Sequence, residues 1–296
     1  MRIATASYPV DVLDDWDTYA AKITEWVGRG AEAGADLLVF PEYGAMELAT
    51  LAGPKVAADL EASLHAVSGL LPRVDRLHAD LATAHGVHIL AASAPAAYDL
   101  PPGVARPVNR ARLFSPGGGV GVQDKQIMTR FEAEEWDVVP GGPLQLFNTA
   151  LGKIGILICY DAEFPLLGRA LAEADIILVP SVTEAMTGYS RVRIGAQARA
   201  LENQCITVMA SVVGDAMWSP ALETCVGAGG VFGPPDRGFP DTGVFAMGEI
   251  NKPGWVYADV DLSAVADVRR DGGVLNRRDW RAQSGRDAAA PMMPLG

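Results

Sequence analysis

Short apolar, β-branched runs alternate with longer segments of helical period along most of this chain, and that alternation restricts its fold more than any other feature. Ile3 to Ser7 reads as a strand. Trp16, Ala20, Ile23, Val27 and Ala31 then recur at three-to-four spacing, which marks one buried helix face. Leu37-Leu38-Val39-Phe40 is a buried-type strand stopped by Pro41. Residues from about 56 to 85 read as helix with a break near Pro72, and His88 to Ser93 returns to strand. Two runs, Arg112–Phe114 and Val120–Gln123, flank Pro116-Gly117-Gly118-Gly119 and predict a hairpin. In the second half Ile154–Ile158, Ile176–Val179 and Ile206–Val213 read as strands, with helices near 165–173 and 190–203. Trp255–Val260 is the last expected core strand. Strands outnumber helices, and hairpins mix with crossover units. The expected class is therefore α/β with packed sheets, not one purely parallel doubly wound sheet.

No linker, repeat or charge block interrupts residues 1–262. The Gly- and Pro-rich stretch 227–254 reads as a long ordered loop, because Val231, Phe232, Phe239 and Phe245 punctuate it. We divide the chain into one domain, 1–265, and a tail, 266–296, which is either an oligomerisation arm or frayed.

Charge excludes one class of partner. With 24 basic against 36 acidic side chains the net charge is −12, whereas a nucleic-acid grip needs clustered Lys and Arg. No stretch approaches the roughly 18 to 20 apolar residues of a membrane helix. Met1-Arg2-Ile3-Ala4-Thr5 lacks the order of a signal peptide. Three widely spaced cysteines, Cys159, Cys205 and Cys225, are no disulfide framework. The expected location is the cytoplasm, with neither nucleic acid nor membrane as a partner.

Three strand ends carry side chains capable of chemistry. Cys159 follows Ile154-Gly155-Ile156-Leu157-Ile158 and precedes Tyr160-Asp161-Ala162-Glu163-Phe164-Pro165, so a buried strand ends at a thiol just before a helix starts. Backbone N–H groups at such a turn can hold an oxyanion, and the helix dipole favours a thiolate. A buried structural cysteine is the plainer alternative. The four histidines, His65, His78, His85 and His88, crowd one helix-rich segment and its following strand, a poor place for a catalytic base. Glu42, after Phe40-Pro41, is better placed, since apolar surroundings raise a carboxyl pKa toward neutrality. Lys125 ends the run Val120-Gly121-Val122-Gln123-Asp124, where an ammonium could stabilise an oxyanion. A loop glutamate and a surface lysine are the bland readings of these two.

Together, Leu38-Val39-Phe40-Pro41-Glu42, Asp124-Lys125 and Ile156-Leu157-Ile158-Cys159-Tyr160-Asp161-Ala162-Glu163-Phe164-Pro165 closely resemble the three signature segments of the nitrilase superfamily of carbon–nitrogen hydrolases. The resemblance spans about residues 1–262 and includes Arg199-Ala200-Leu201-Glu202-Asn203. It implies a four-layer α-β-β-α sandwich, homodimers or larger assemblies, and chemistry without metal or cofactor. Glu42 is implied as general base, Lys125 as oxyanion-stabilising cation, Cys159 as nucleophile and the Tyr160 N–H as a second oxyanion donor. A further family glutamate stands six residues before a Pro-Gly, which selects Glu134 over Glu132 and Glu135, to orient Lys125 and hold the leaving nitrogen. Many members follow the lysine with x-His-Leu. Here Gln126-Ile127-Met128-Thr129-Arg130-Phe131 follows, so substrate contacts do not transfer.

The implied reaction is hydrolysis of a small-molecule amide through a thioester, because Cys159-Tyr160-Asp161 resembles the amidase branches while true nitrilases more often carry Trp-Glu there. An N-carbamoyl amine or a nitrile is the alternative substrate, and a catalytically silent scaffold is the alternative class. The expected pocket uses Tyr43, Arg130 and Phe131 of the 130–136 loop, and Thr183, Tyr189 and Arg191 of residues 183–191. Arg130 and Arg191 are the candidates for binding a substrate carboxylate. Phosphate-loop, serine-elbow, His-Glu-x-x-His and Cys-x-x-Cys motifs are absent.

Overall fold

A computed structural model describes residues 1–286 and 288–295. Its first half holds strands β1 (Arg2–Pro9), β2 (Leu37–Val39), β3 (His88–Ala96), β4 (Val108–Phe114) and β5 (Val120–Asp124). The second half holds β6 (Leu146–Thr149), β7 (Gly152–Ile156), β8 (Ile176–Ser181), β9 (Ile206–Asp215), β10 (Thr224–Cys225), β11 (Gly230–Phe232), β12 (Val244–Met247) and β13 (Gly254–Asp259). The hydrogen-bonded path runs β5-β4-β3-β2-β1-β9-β8-β7-β6, with β13 added on β1 and β11 on β9. Each half has a parallel centre, β1-β2-β3 or β9-β8-β7, and antiparallel outer strands. The two parallel centres meet through the short register from Ser7↔Ser211 to Pro9↔Val213, and β13 ties the second half to β1 from Arg2↔Asp259 to Ser7↔Gly254.

Side-chain alternation builds the layers. Ala4, Ala6, Leu38 and Ile89 face helices α1 (Trp16–Glu32) and, beyond the short α2 (Pro54–Ala57), α3 (Leu60–His85), in a core with Ile23, Val27, Leu64 and Leu71. Ile3, Leu37, Val39, Leu90 and Leu113 point the other way and join Ile156, Leu178 and Val208 of the second half. Beyond that half lie α4 (Pro165–Ala170) and α5 (Met186–Asn203). The result is the α-β-β-α sandwich. Strands covered on both faces read as unbroken apolar runs, which is why the central ones were so plain in the sequence.

The expected break at Pro72 lies elsewhere. Asp59 caps α3, its carboxylate accepting from the Ala62 N–H at 2.7 Å, and the helix runs unbroken through Pro72 to Gly86. Pro72 is exposed, so its ring faces water and the buried stripe through Leu71 and Val74 is undisturbed. Stretch 227–254 is not all loop, since β11 and β12 pair within it. The boundary drawn at 265 falls inside α6 (Leu262–Asp271). Arg269 on that helix donates to the carbonyls of Asn203, Gln204 and Ala174, and the Gln204 amide donates to Val268 and Val274. The first part of the tail thus packs on its own chain, through α7 (Asn276–Asp279), whose Arg277 pairs with Glu173. Among the described residues, no helix is long and apolar enough to cross a membrane.

Candidate active site

β2, β5 and β7 are not neighbours in the strand order, yet stacking of the two half-sheets brings the residues that follow them to one cavity. Beyond β2, Pro41 ends the strand and Glu42 is left 1% exposed. Tyr43 then adopts a left-handed conformation at φ 53°. After β5, the Lys125 N–H still bonds the Asn109 carbonyl at 2.9 Å, and its side chain is 1% exposed. After β7, Ile158 stays extended and Cys159 turns left-handed at φ 51°, opening the short 3-10 helix Cys159–Glu163. A non-glycine residue in that region costs on the order of 1–3 kcal/mol, and such strain concentrates at functional turns. The buried Asp161 carboxylate accepts from the N–H groups of Gln126, Ile127 and Ile158, bolting the lysine segment to the cysteine turn. Burial pushes its pKa up to about 7.

Lys125 Nζ lies 2.7 Å from Glu42 Oε1 and 2.6 Å from Glu132 Oε2. Glu42 Oε1 also accepts from Asn109 Nδ2 at 2.9 Å, and Oε2 from the Val182 N–H at 3.1 Å. The Cys159 thiol donates to the Val182 carbonyl at 3.5 Å. Burial raises the Glu42 carboxyl above its usual range, with Lys125 opposing and Glu132 reinforcing the rise. Burial pulls the Lys125 ammonium down, but the two glutamates outweigh it and leave its pKa raised. Burial also acts upward on Glu132, yet Lys125 and Thr129 overcome it and hold that carboxyl low. The Cys159 thiol is pushed well up by burial and by Glu42. At rest the site therefore holds a protonated thiol, a permanent cation and two carboxylates of unequal basicity.

Glu132, not Glu134, reaches Lys125. Residues Glu132–Trp136 form a single π-helical turn, in which Glu132 and Trp136 share the buried face while Glu134 points to solvent and pairs with Arg130 at 2.7 Å. Counting back from Pro140-Gly141 missed this because it ignores how the turn winds. A sequence signal did exist: Thr129-x-x-Glu132 is a capping box. Glu132 N–H donates to Thr129 Oγ1 at 3.3 Å, and Thr129 N–H to Glu132 Oε2 at 2.9 Å.

The cavity above these groups has a volume of about 360 Å³. Tyr43, Arg130, Phe131, Thr183 and Arg191 line it, together with Tyr160 and Trp136. Tyr189 does not. One residue on from the cavity-lining Gly188, it is rotated by about 100° around α5 into the core, where Arg193 lies over its ring. Neither arginine at the mouth is free: Arg130 pairs with Glu134, and Arg191 with Glu163 at 3.4 Å. The cavity wall is aromatic on one side, with the Tyr43 and Trp136 rings 4.7 Å apart. Sequence reasoning also missed Asn109, Val182 and Asp161. A larger cleft of about 770 Å³, lined by Lys153, Asp175, Arg269 and Arg277, contains none of this chemistry.

A family profile described as carbon-nitrogen hydrolase matches residues 2–270. The "Probable hydrolase YhcX" of Bacillus subtilis is 30% identical over 283 residues, covering 95% of this chain and 54% of that protein. The chain thus spans about half the length of that relative. A deaminated glutathione amidase of Yersinia enterocolitica is 42% identical over 77 residues, 25% of this chain and 27% of its own. Among solved structures, an amidase of the nitrilase superfamily from Nesterenkonia superposes with a TM-score of 0.67 at 22% identity, covering 97% of both chains. A carbon-nitrogen hydrolase from Helicobacter pylori gives 0.75 at 18% identity, covering 97% of this chain and 96% of its own. At those identities the likeness is one of fold.

Proposed function

Because the chain belongs to the carbon-nitrogen hydrolase family, we propose that it is an amidase, hydrolysing a small-molecule amide to a carboxylic acid and ammonia through a thioester on Cys159. The observation that carries this reading is the buried Lys125 ammonium between Glu42 and Glu132, at the same cavity as a thiol on a left-handed turn.

Glu42 takes the Cys159 proton as the sulfur attacks the amide carbonyl. A carboxyl raised by burial is basic enough for this, and the thiol, itself held protonated by burial and by Glu42, needs such a base. The carbonyl oxygen becomes an oxyanion facing Lys125 and the Tyr160 N–H, at the first turn of a helix where N–H groups lack intrahelical partners. Loss of one such donor typically costs about 3–4 kcal/mol of barrier. Glu42 then returns its proton to the departing nitrogen, ammonia leaves, and the acyl group remains on sulfur. In the second half Glu42 removes a proton from water as it attacks the thioester, and when the C–S bond breaks the acid leaves and Glu42 returns that proton to the Cys159 sulfur. Glu132 keeps Lys125 charged and aimed, while its other oxygen accepts from the Tyr43 hydroxyl at 2.9 Å.

Amide is preferred to nitrile because Cys159-Tyr160-Asp161 resembles the amidase branches, and relatives carrying amidase names match part of the chain. The test is ammonia release from a panel of primary amides, N-carbamoyl amines and nitriles. Turnover confined to primary amides is expected; turnover confined to either other class overturns the substrate assignment.

A further inference from the structure

We propose that Asn109, oriented by Ser93, is a positioning residue that gives the two oxygens of Glu42 separate tasks: Oε1 is held by donors, and Oε2 receives the Cys159 proton. The inference rests on the reading of Glu42 as base and Cys159 as nucleophile.

Ser93 and Asn109 are completely buried, on β3 and β4. The register of these strands shifts between Ala91 and Ala94, so β3 carries an extra residue where Ser93 sits. Bulges of this kind re-aim a side chain. Here the hydroxyl meets both the turn after Glu42 and the Asn109 amide. The Tyr43 N–H donates to Ser93 Oγ at 3.0 Å, and Ser93 donates onward to Asn109 Oδ1 at 2.7 Å. A backbone N–H can only donate, so the single hydroxyl proton of Ser93 is committed to Asn109. That commitment fixes the amide, with its nitrogen toward the carboxylates. Asn109 Nδ2 then donates to Glu42 Oε1 at 2.9 Å, with Glu132 Oε1 at 3.4 Å.

The consequence falls on Glu42. Its Oε1 accepts from two nitrogens, Lys125 Nζ and Asn109 Nδ2, while Oε2 accepts one, the Val182 N–H. Val182 is also the residue whose carbonyl holds the Cys159 thiol, so Oε2 is the oxygen on the thiol side with a lone pair to spare. The chain Tyr43 N–H, Ser93, Asn109, Glu42 couples the left-handed turn that follows the base to the charge on the base. A core asparagine with a purely structural part would satisfy its own amide without setting the basicity of Glu42.

The test is the pH dependence of Cys159 alkylation by iodoacetamide, followed by intact mass, in the full-length chain. The rate falls on the acid side as Glu42 takes up a proton. The titratable groups facing Glu42 are Lys125, Glu132, Cys159 and Tyr43, all unchanged in the variants. Asn109→Ala removes a hydrogen bond to a charged group and is expected to slow alkylation by about 10- to 100-fold near neutrality. It should also move the acid limb up by about one pH unit. Ser93→Ala leaves the amide in place but releases its orientation, and should move the limb the same way with a loss of about 3- to 10-fold. It carries the test alone should Asn109→Ala fail to fold. A limb that stays put in the folded variants, whether rates fall uniformly or not at all, overturns the proposal. Ammonia release by Cys159→Ala, measured alongside, separates the premise: turnover that persists in that variant overturns the nucleophile assignment instead, and subtracting its residual alkylation removes any contribution of Cys205 and Cys225.

Discussion

Glu132 meets Lys125 at 2.6 Å, while Glu134, two residues along the same turn, faces water. The buried pair makes Lys125 a permanent cation with a fixed direction, and Glu42 on its other side becomes the more basic of the two carboxylates. Division of labour between chemically identical groups follows from which of them the backbone buries next to what.

Substitution at these two glutamates therefore separates sharply. Glu132→Gln leaves the buried ammonium short of a charge partner and is expected to lower kcat about 100-fold or more. Glu134→Gln breaks only an exposed ion pair, worth about 0–1 kcal/mol, and should leave kcat within about twofold. Steady-state ammonia release from a primary amide checks both.

Loss of the cation itself is expected to damage folding as well as chemistry. Lys125→Ala leaves Glu42 and Glu132 facing each other in the interior without compensation. Breaking a buried pair from one side typically costs about 3–5 kcal/mol, to be read from urea unfolding followed by circular dichroism. A variant as stable as the parent would contradict the assignment of charge at this site.

His78 predicts a pH dependence of stability unrelated to catalysis. It is buried against Phe40 and Phe114, and burial drops its pKa from 6.5 to about 4. Between those values the unfolded chain binds a proton that the folded chain refuses, so stability falls as pH drops from 6.5 toward 4. The full effect is on the order of 3 kcal/mol. His78→Phe should flatten the unfolding free energy across that window; an unchanged slope would assign the pH dependence to other groups.

Asp161 joins the Lys125 segment to the Cys159 turn through three backbone N–H groups. Asp161→Ala removes every one of those acceptors while touching neither reacting atom. The expected outcome is a loss of kcat of about 10- to 100-fold with KM changed far less, since the displaced groups act on the reaction rather than on substrate docking.

The three residues gathered at the cavity were legible from where strands end. Glu42 and Cys159 each follow an apolar run that stops abruptly, as in a sheet covered on both faces, while Lys125 closes the edge strand β5, whose Val120 and Val122 are exposed. Glu132 was harder, because three glutamates share one turn and only the winding says which is buried. Its capping box with Thr129 stands in the sequence, but the spacing from Pro140-Gly141 alone selected the glutamate. Asn109 and Ser93 lie inside strands rather than at their ends, so no local pattern distinguishes them from satisfied core polar groups. Tyr189 was misplaced by reading residues 183–191 as one surface, where helical geometry sends neighbours in different directions. Pro72 misled because propensity penalises it, whereas an exposed ring on a helix packed along its opposite face is tolerated.

That Cys159 is the nucleophile is tested by turnover of Cys159→Ala beside the parent chain. With a primary amide the parent hydrolyses, kcat is expected to fall roughly 10⁴-fold or more, with the folded state retained. Hydrolysis within about tenfold of the parent would place the chemistry on another residue.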